Sequence, residues 1–209
     1  MTDEMKVPIT SSLAPFFNGS ITRLSYVIRY SGSPVLRREN VAEHGYWVAM
    51  IGATIALDMG HPVHVAERIS LRGLLHDVEE SLVGDIIRNT KYFSHEVREA
   101  MRTVEDAKAD QIFEELRWPG EVFKSIWKLA KDDSFEGQVL KLADLLSVAV
   151  YCYQEMELGN DSLDIRGIVE DVCRNIMLWF PDDTDLGKYA RDIIFGIFDW
   201  IVEVEIIDE

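Results

Sequence analysis

Apolar residues recur along this chain at intervals of three and four, the period of α-helices that bury one side. The clearest case lies between Asn40 and Gly60, where His44, Val48, Ile51, Ile55 and Met59 are spaced four, three, four and four residues apart. These five share one helical face, so His44 heads an inward-facing stripe. Gly60 closes that helix and Pro62 opens the next. The second helix carries Val65, Ile69, Leu74 and Leu75 and delivers His76-Asp77 near its C-terminal end. Ser31 to Asn40, with Gly32 and Pro34, reads as a loop. Further helices are expected after caps at Thr10 to Ser12, over Ser20 to Tyr30, and as a short helix and turn over Glu79 to Asn89. Others are expected over Ser94 to Leu116 and Gly120 to Lys131, separated by Trp118-Pro119-Gly120. The last are expected over Gln138 to Leu158, Ser162 to Trp179 and Asp185 to Val204. No segment alternates convincingly with the period of a strand, and no repeat is present. The chain reads as all-α.

The Gln138 to Leu158 segment differs from the others. Val139, Leu140, Leu142, Ala143, Leu145, Leu146, Val148, Ala149, Val150 and Tyr151 leave it little polar surface. A helix apolar nearly all round is a buried one, and Asp144 stands in its middle. A carboxylate in a dry interior costs several kcal/mol unless it is paired or coordinated. Lys141, three positions earlier, offers one partner along the helix; a metal ion is the other. His44 taken alone suits a hydrogen-bonded core histidine, and His76-Asp77 alone suits a helix C-terminus. Taken together, His44, His76, Asp77 and Asp144 are two imidazoles and two carboxylates at apolar-face positions. That donor set suits one divalent transition ion, Mn, Fe, Co, Ni or Zn, better than a purely oxygen-preferring cation. His61, His64 and His95 look like loop or surface residues.

Composition narrows the partners. With 209 residues, 47% of them hydrophobic, the chain is long enough for one domain with a sizeable core, and one domain over 1–209 is expected. A formal net charge of -16 argues against a broad face for duplex nucleic acid or for anionic lipid. A nucleotide remains compatible, because a few local cations and a metal reverse the field inside one pocket. No apolar run reaches the ~18 residues of a membrane span. The N-terminal MTDEMKVPIT lacks the basic and apolar regions of a secretion signal, so a cytoplasmic protein is expected. Cys152 and Cys173 are then expected as buried thiols rather than a disulfide.

The ordered motifs carry more than the four ligands. They are Arg29-Tyr30, the run Arg38 to His44 (RENVAEH), His76 to Glu80 (HDVEE), Val83-Gly84-Asp85, Lys91-Tyr92-Phe93, Lys141 to Asp144 (KLAD) and Glu155 to Asn160 (EMELGN). In this series, over roughly Ile21 to Asn160, the chain resembles the HD-domain phosphohydrolases, and within them the small 5'-deoxynucleotidases that act on deoxynucleoside monophosphates. The resemblance implies an HD-type helical bundle around one divalent metal, usually in a homo-oligomer, with the helices of 161–209 as packing or interface. It implies that His44, His76, Asp77 and Asp144 hold the metal and that Glu80 orients or deprotonates the attacking water. It further implies that Arg29 binds the phosphate and Asp85 the sugar hydroxyl. Tyr30, where the family often has Trp, can stack on a base. Lys91 is a second candidate phosphate contact. Arg37 and Arg38 are expected in a solvated loop.

Two alternatives stand beside this reading. Phage dATP triphosphohydrolases resemble the chain around the same residues and release triphosphate. A catalytically idle nucleotide sensor or scaffold would also fit the acidic surface, although such a protein has no need of Glu80 and Arg29.

Overall fold

The computed structural model describes residues 11–91, 93–130 and 132–207. Thr10 and the rest of MTDEMKVPIT, Tyr92 and Lys131 lie outside the described residues. The chain divides into two compact units, Met1–Leu140 and Lys141–Glu209.

In the first unit, α1 (Pro15–Asn18) leads into a 3-10 helix over Ser20–Tyr26. The long helices follow as α2 (Val41–Asp58) and α3 (Val63–Leu75), with the short α4 (Glu80–Val83) and α5 (Arg88–Lys91) after them. Next come α6 (His95–Glu115), α7 (Trp118–Leu129) and α8 (Phe135–Glu157), the last of which runs past Leu140 into the second unit. Among the described residues no β-strand is present.

Local chemistry sets the boundaries near the site. The Asn40 side chain accepts the Glu43 N–H at 3.0 Å, and the Glu43 carboxylate accepts the Asn40 N–H at 3.2 Å. This reciprocal capping box starts α2 at Val41, and Gly60, at φ +81°, follows its end. Ser94 caps α6 by accepting the Val97 N–H.

Several boundaries differ from expectation; α8, for one, starts at Phe135 rather than Gln138. The helix expected to Tyr30 ends at Tyr26, and the chain turns extended: the Arg29 N–H donates to the Glu39 carbonyl at 2.9 Å and the Val41 N–H to the Val27 carbonyl at 3.0 Å. Those donors find carbonyls at least ten residues away, and the β-branched Val27 and Ile28 suit extended backbone. Likewise α7 starts at Trp118 rather than Gly120. Pro119 lies in its first turn, where the missing N–H has no intrahelical partner to lose.

Gly73 decides how α2 and α3 meet. A Cβ built on it would stand 2.8 Å from the Ala49 Cα and 2.9 Å from its nitrogen. Bare backbone therefore lets the two helices approach where any side chain would hold them apart. Gly73 lies one turn before His76, and Ala49 just over one turn after His44, so the same contact brings the two imidazoles together. Below them, Leu75, Val78, Ala109, Ile112, Phe113, Leu116 and Trp127 form a buried cluster. It fixes the end of α3 against α6 and α7. The Arg72 guanidinium adds a polar tie, donating to the Leu129 carbonyl at 3.1 Å and the Ser134 hydroxyl at 3.2 Å.

The second unit holds the rest of α8, α9 (Leu163–Trp179) and α10 (Asp185–Ile207). Ile165, Val169, Val172, Cys173 and Ile176 are the buried face of α9, with Ala190 and Ile194 buried on α10. Cys152 and Cys173 are buried free thiols, as expected. The Lys141 ammonium stands over the Trp179 ring, 4.1 Å from its centroid.

Replacing Gly73 by alanine is expected to destabilise the protein by about 1–3 kcal/mol, because the neighbouring atoms are backbone and cannot swing away. Urea unfolding of the metal-free protein measures this. A midpoint equal to that of the wild type would show that the helices are not in close contact there.

Candidate metal centre and active site

His44 and His76 are both buried, and their ring centroids lie 5.2 Å apart. One ligand nitrogen of each lies within 4.8 Å of the other. The Asp77 Oδ2 is 2.9 Å from His76 Nε2 and 3.7 Å from His44 Nε2. His76 Nδ1 is 2.7 Å from the Gly73 carbonyl. A carbonyl only accepts, so Nδ1 carries a proton and Nε2 is the ring atom that faces Asp77. With Nδ1 committed to the carbonyl, Nε2 is the ring nitrogen placed to meet a metal. The donor set, two imidazoles and a carboxylate with one imidazole oriented by a backbone carbonyl, fits a divalent metal. Asp144, the fourth expected ligand, stands on α8 in the second unit, half-buried between the buried Ala143 and Leu145.

Beside these candidate ligands the first unit gathers more carboxylates. Burial pushes the Glu80 carboxyl up to about 10, and Asp77, Asp85 and Glu79 add to the rise while Arg29 opposes it. Burial also raises Asp85, against the pull of Arg29, an accepted hydrogen bond from the Tyr30 N–H and the charge of Lys91. Arg29 is therefore close enough to both acids to act on them electrostatically. Its side chain is 14% exposed, not the solvated arginine of an ordinary surface. Its guanidinium lies 5.1 Å from the Tyr30 ring centroid. Glu80 and Asp85 are likewise half-buried, and Asp77 acts on both.

The remaining expectations separate. Lys91 pairs with Glu105 on α6 at 2.6 Å. Arg38 is exposed, as expected of a loop residue, whereas Arg37 is half-buried with Nη2 3.9 Å from Glu39 Oε1. His61 stacks on Phe135 at 4.0 Å between centroids, and His64 and His95 are exposed. Two buried acids of the first unit had no assigned role. Glu79 accepts the Trp127 indole N–H at 3.0 Å, tying α7 to the turn that carries Asp77. Glu39 accepts from Arg29 at 3.0 Å. Neither has a local signature: Glu79 stands beside another glutamate and Glu39 in a polar loop, and only tertiary burial distinguishes them.

The family model described as 5'-deoxynucleotidase YfbR-like matches residues 16–175, most of the chain. The chain belongs to this family. Among its YfbR-like relatives, the 5'-deoxynucleotidase YfbR of Escherichia coli (strain K12 / DH10B) is 30% identical over 153 residues, covering 69% of this chain and 75% of that one. Two solved structures share the fold. An HD-domain phosphohydrolase from Listeria innocua superposes with a TM-score of 0.66 at 24% identity, over 80% of this chain and 81% of that one. The cyanophage S-2L HD phosphohydrolase DatZ, solved with dA and one catalytic Zn2+, gives a TM-score of 0.61 at 15% identity, over 89% and 96%. For this YfbR-like chain the all-α HD fold expected from the sequence is thus shown, and no helix of the described residues is long and apolar enough to cross a membrane.

The raised carboxyls give the metal-free protein a defined pH response. Between the ordinary glutamate value of 4.5 and about 10, the folded state keeps a proton on Glu80 that the unfolded chain releases. Stability from this group is complete below that window and declines as pH rises through it. Thermal melts of the metal-free protein from about pH 5 to about pH 9 should fall more steeply for wild type than for Glu80→Gln. Parallel curves would show that Glu80 ionises freely in the folded state.

Proposed function

We propose that this member of the YfbR-like family is a metal-dependent phosphoric ester hydrolase that converts a deoxynucleoside 5'-monophosphate and water to the deoxynucleoside and orthophosphate. The observation that carries the reading is the meeting, in one unit, of a His-His-Asp donor set with a buried acid, Glu80, and a sheltered arginine, Arg29. A plain metal-storage or structural site has no use for the last two.

In this reading His44, His76, Asp77 and Asp144 hold one divalent transition ion, Mn, Co, Zn, Fe or Ni. Asp144 is included because a half-buried carboxylate between the buried Ala143 and Leu145 calls for a cation, and because the family match runs through it. The same match, together with the unbroken α8, supports one HD domain over 1–209. The ion supplies Lewis acidity, polarising the phosphoryl group and acidifying water. Glu80 holds the attacking water and takes its proton. The Arg29 fork binds two phosphate oxygens and offsets the charge that builds as the P–O5' bond breaks. Asp85 accepts from a sugar hydroxyl, and Tyr30 offers a ring face to the base. Lys91, paired with Glu105, adds positive field beside Asp85 and is a secondary phosphate contact at most. Assembly of like copies belongs to the reading as well: Tyr46, Met50 and Leu57 leave an exposed apolar stripe on α2. A cytoplasmic location is the natural setting for such substrates and for free thiols.

Phosphate release from a panel of deoxynucleoside mono- and triphosphates, with added Mn or Co, tests the assignment. The expected product is orthophosphate from monophosphates, with loss of about a thousandfold in kcat/KM for Asp77→Ala and about a hundredfold for Glu80→Ala. Triphosphate as the product would move the protein to the triphosphohydrolase alternative. Tight binding without any product would identify a nucleotide sensor.

A further inference from the structure

Glu39 lies one residue before the Asn40 cap and five before His44, with 1% of its surface exposed. A carboxylate shut away from water needs cationic partners, and Glu39 has one guanidinium near each oxygen. Arg29 Nη1 donates to Oε2 at 3.0 Å, and Arg37 Nη2 lies 3.9 Å from Oε1. The backbone repeats the link, since the Arg29 N–H donates to the Glu39 carbonyl at 2.9 Å. Arg29 is thus tied to one residue through both its main chain and its side chain.

The next residue is held from the other side. The Tyr30 N–H donates to the Asp85 carboxylate. Tyr30 itself has φ +56°, a left-handed conformation that a tyrosine keeps only where its surroundings impose it. The Arg29-Tyr30 pair is therefore clamped between Glu39 and Asp85. A long arginine side chain without such a clamp would spread its fork over many rotamers, and ordering it would then weaken substrate binding.

We propose that Glu39 is a positioning residue whose buried carboxylate presets the Arg29 guanidinium, and draws Arg37 toward it, for the phosphate oxygens of the substrate. The proposal rests on the reading of Arg29 as the phosphate ligand. Glu39 acts through Arg29, so its contribution disappears when Arg29 is absent. A residue that merely supported the fold would lower activity in either background.

A double-mutant cycle on Mn-loaded protein separates the two. Glu39→Gln should retain the metal and lower kcat/KM for a deoxynucleoside monophosphate by about 10- to 100-fold, with a matching loss of orthophosphate affinity by calorimetry. In an Arg29→Ala background the same substitution should change kcat/KM and orthophosphate affinity by less than about twofold. Glu39→Asp keeps the buried charge with a shorter reach and provides the same cycle where the glutamine variant does not fold. Additive losses in the double variant, or unchanged orthophosphate affinity in both Glu39 variants, would overturn the proposal. Should the wild type hydrolyse no nucleotide while Glu39→Gln still loses orthophosphate and Arg29→Ala abolishes that difference, the hydrolase reading fails and the positioning role stands.

Discussion

The site depends first on two helices touching through bare backbone. At Gly73 there is no room for a side chain against Ala49 of α2. That contact sets His44 opposite His76 and lets the Gly73 carbonyl hold the His76 ring by its Nδ1. One glycine thus closes the helix pair and orients a ligand. The hydrophobic cluster of α3, α6 and α7 keeps the end of α3 from drifting, and the buried Glu79–Trp127 hydrogen bond fixes the turn that presents Asp77. Rigid elements carry the donors, which is what a coordination geometry requires.

Electrostatics explains why such a site calls for a cation. Asp77, Glu79, Glu80 and Asp85 act on one another at short range, and Arg29 is the cation that offsets both Glu80 and Asp85. Part of Arg29's own charge is taken up by Glu39. The cation-free cluster relieves its repulsion by keeping Glu80 protonated. Two positive charges beside Asp77 would reverse that balance and leave Glu80 ionised, the state a general base needs. Metal uptake at this site would be linked to release of the Glu80 proton.

Much of this could be read along the chain. His44 at the head of an apolar stripe, and His76-Asp77 at the end of the following helix, are periodicity arguments, and the burial of both imidazoles bears them out. Asn40 marked the start of α2 within a residue. Arg29 was legible through its motif, but its backbone was not: the extended turn after Tyr26 depends on pairing with residues 39–41, a contact invisible to any local window. Glu39 and Glu79 escaped for the same reason. A buried glutamate in a loop has the same neighbours in sequence as a solvated one, and only the folded chain shows which carboxylate has lost its water.

X-ray absorption at the edge of the bound metal tests the central claim most directly. The account predicts one ion per chain, with two imidazole nitrogens and carboxylate oxygens in its sphere, and the loss of one oxygen donor in Asp144→Ala. A sphere of oxygens alone, or one that keeps both imidazoles after His44→Ala, would contradict it.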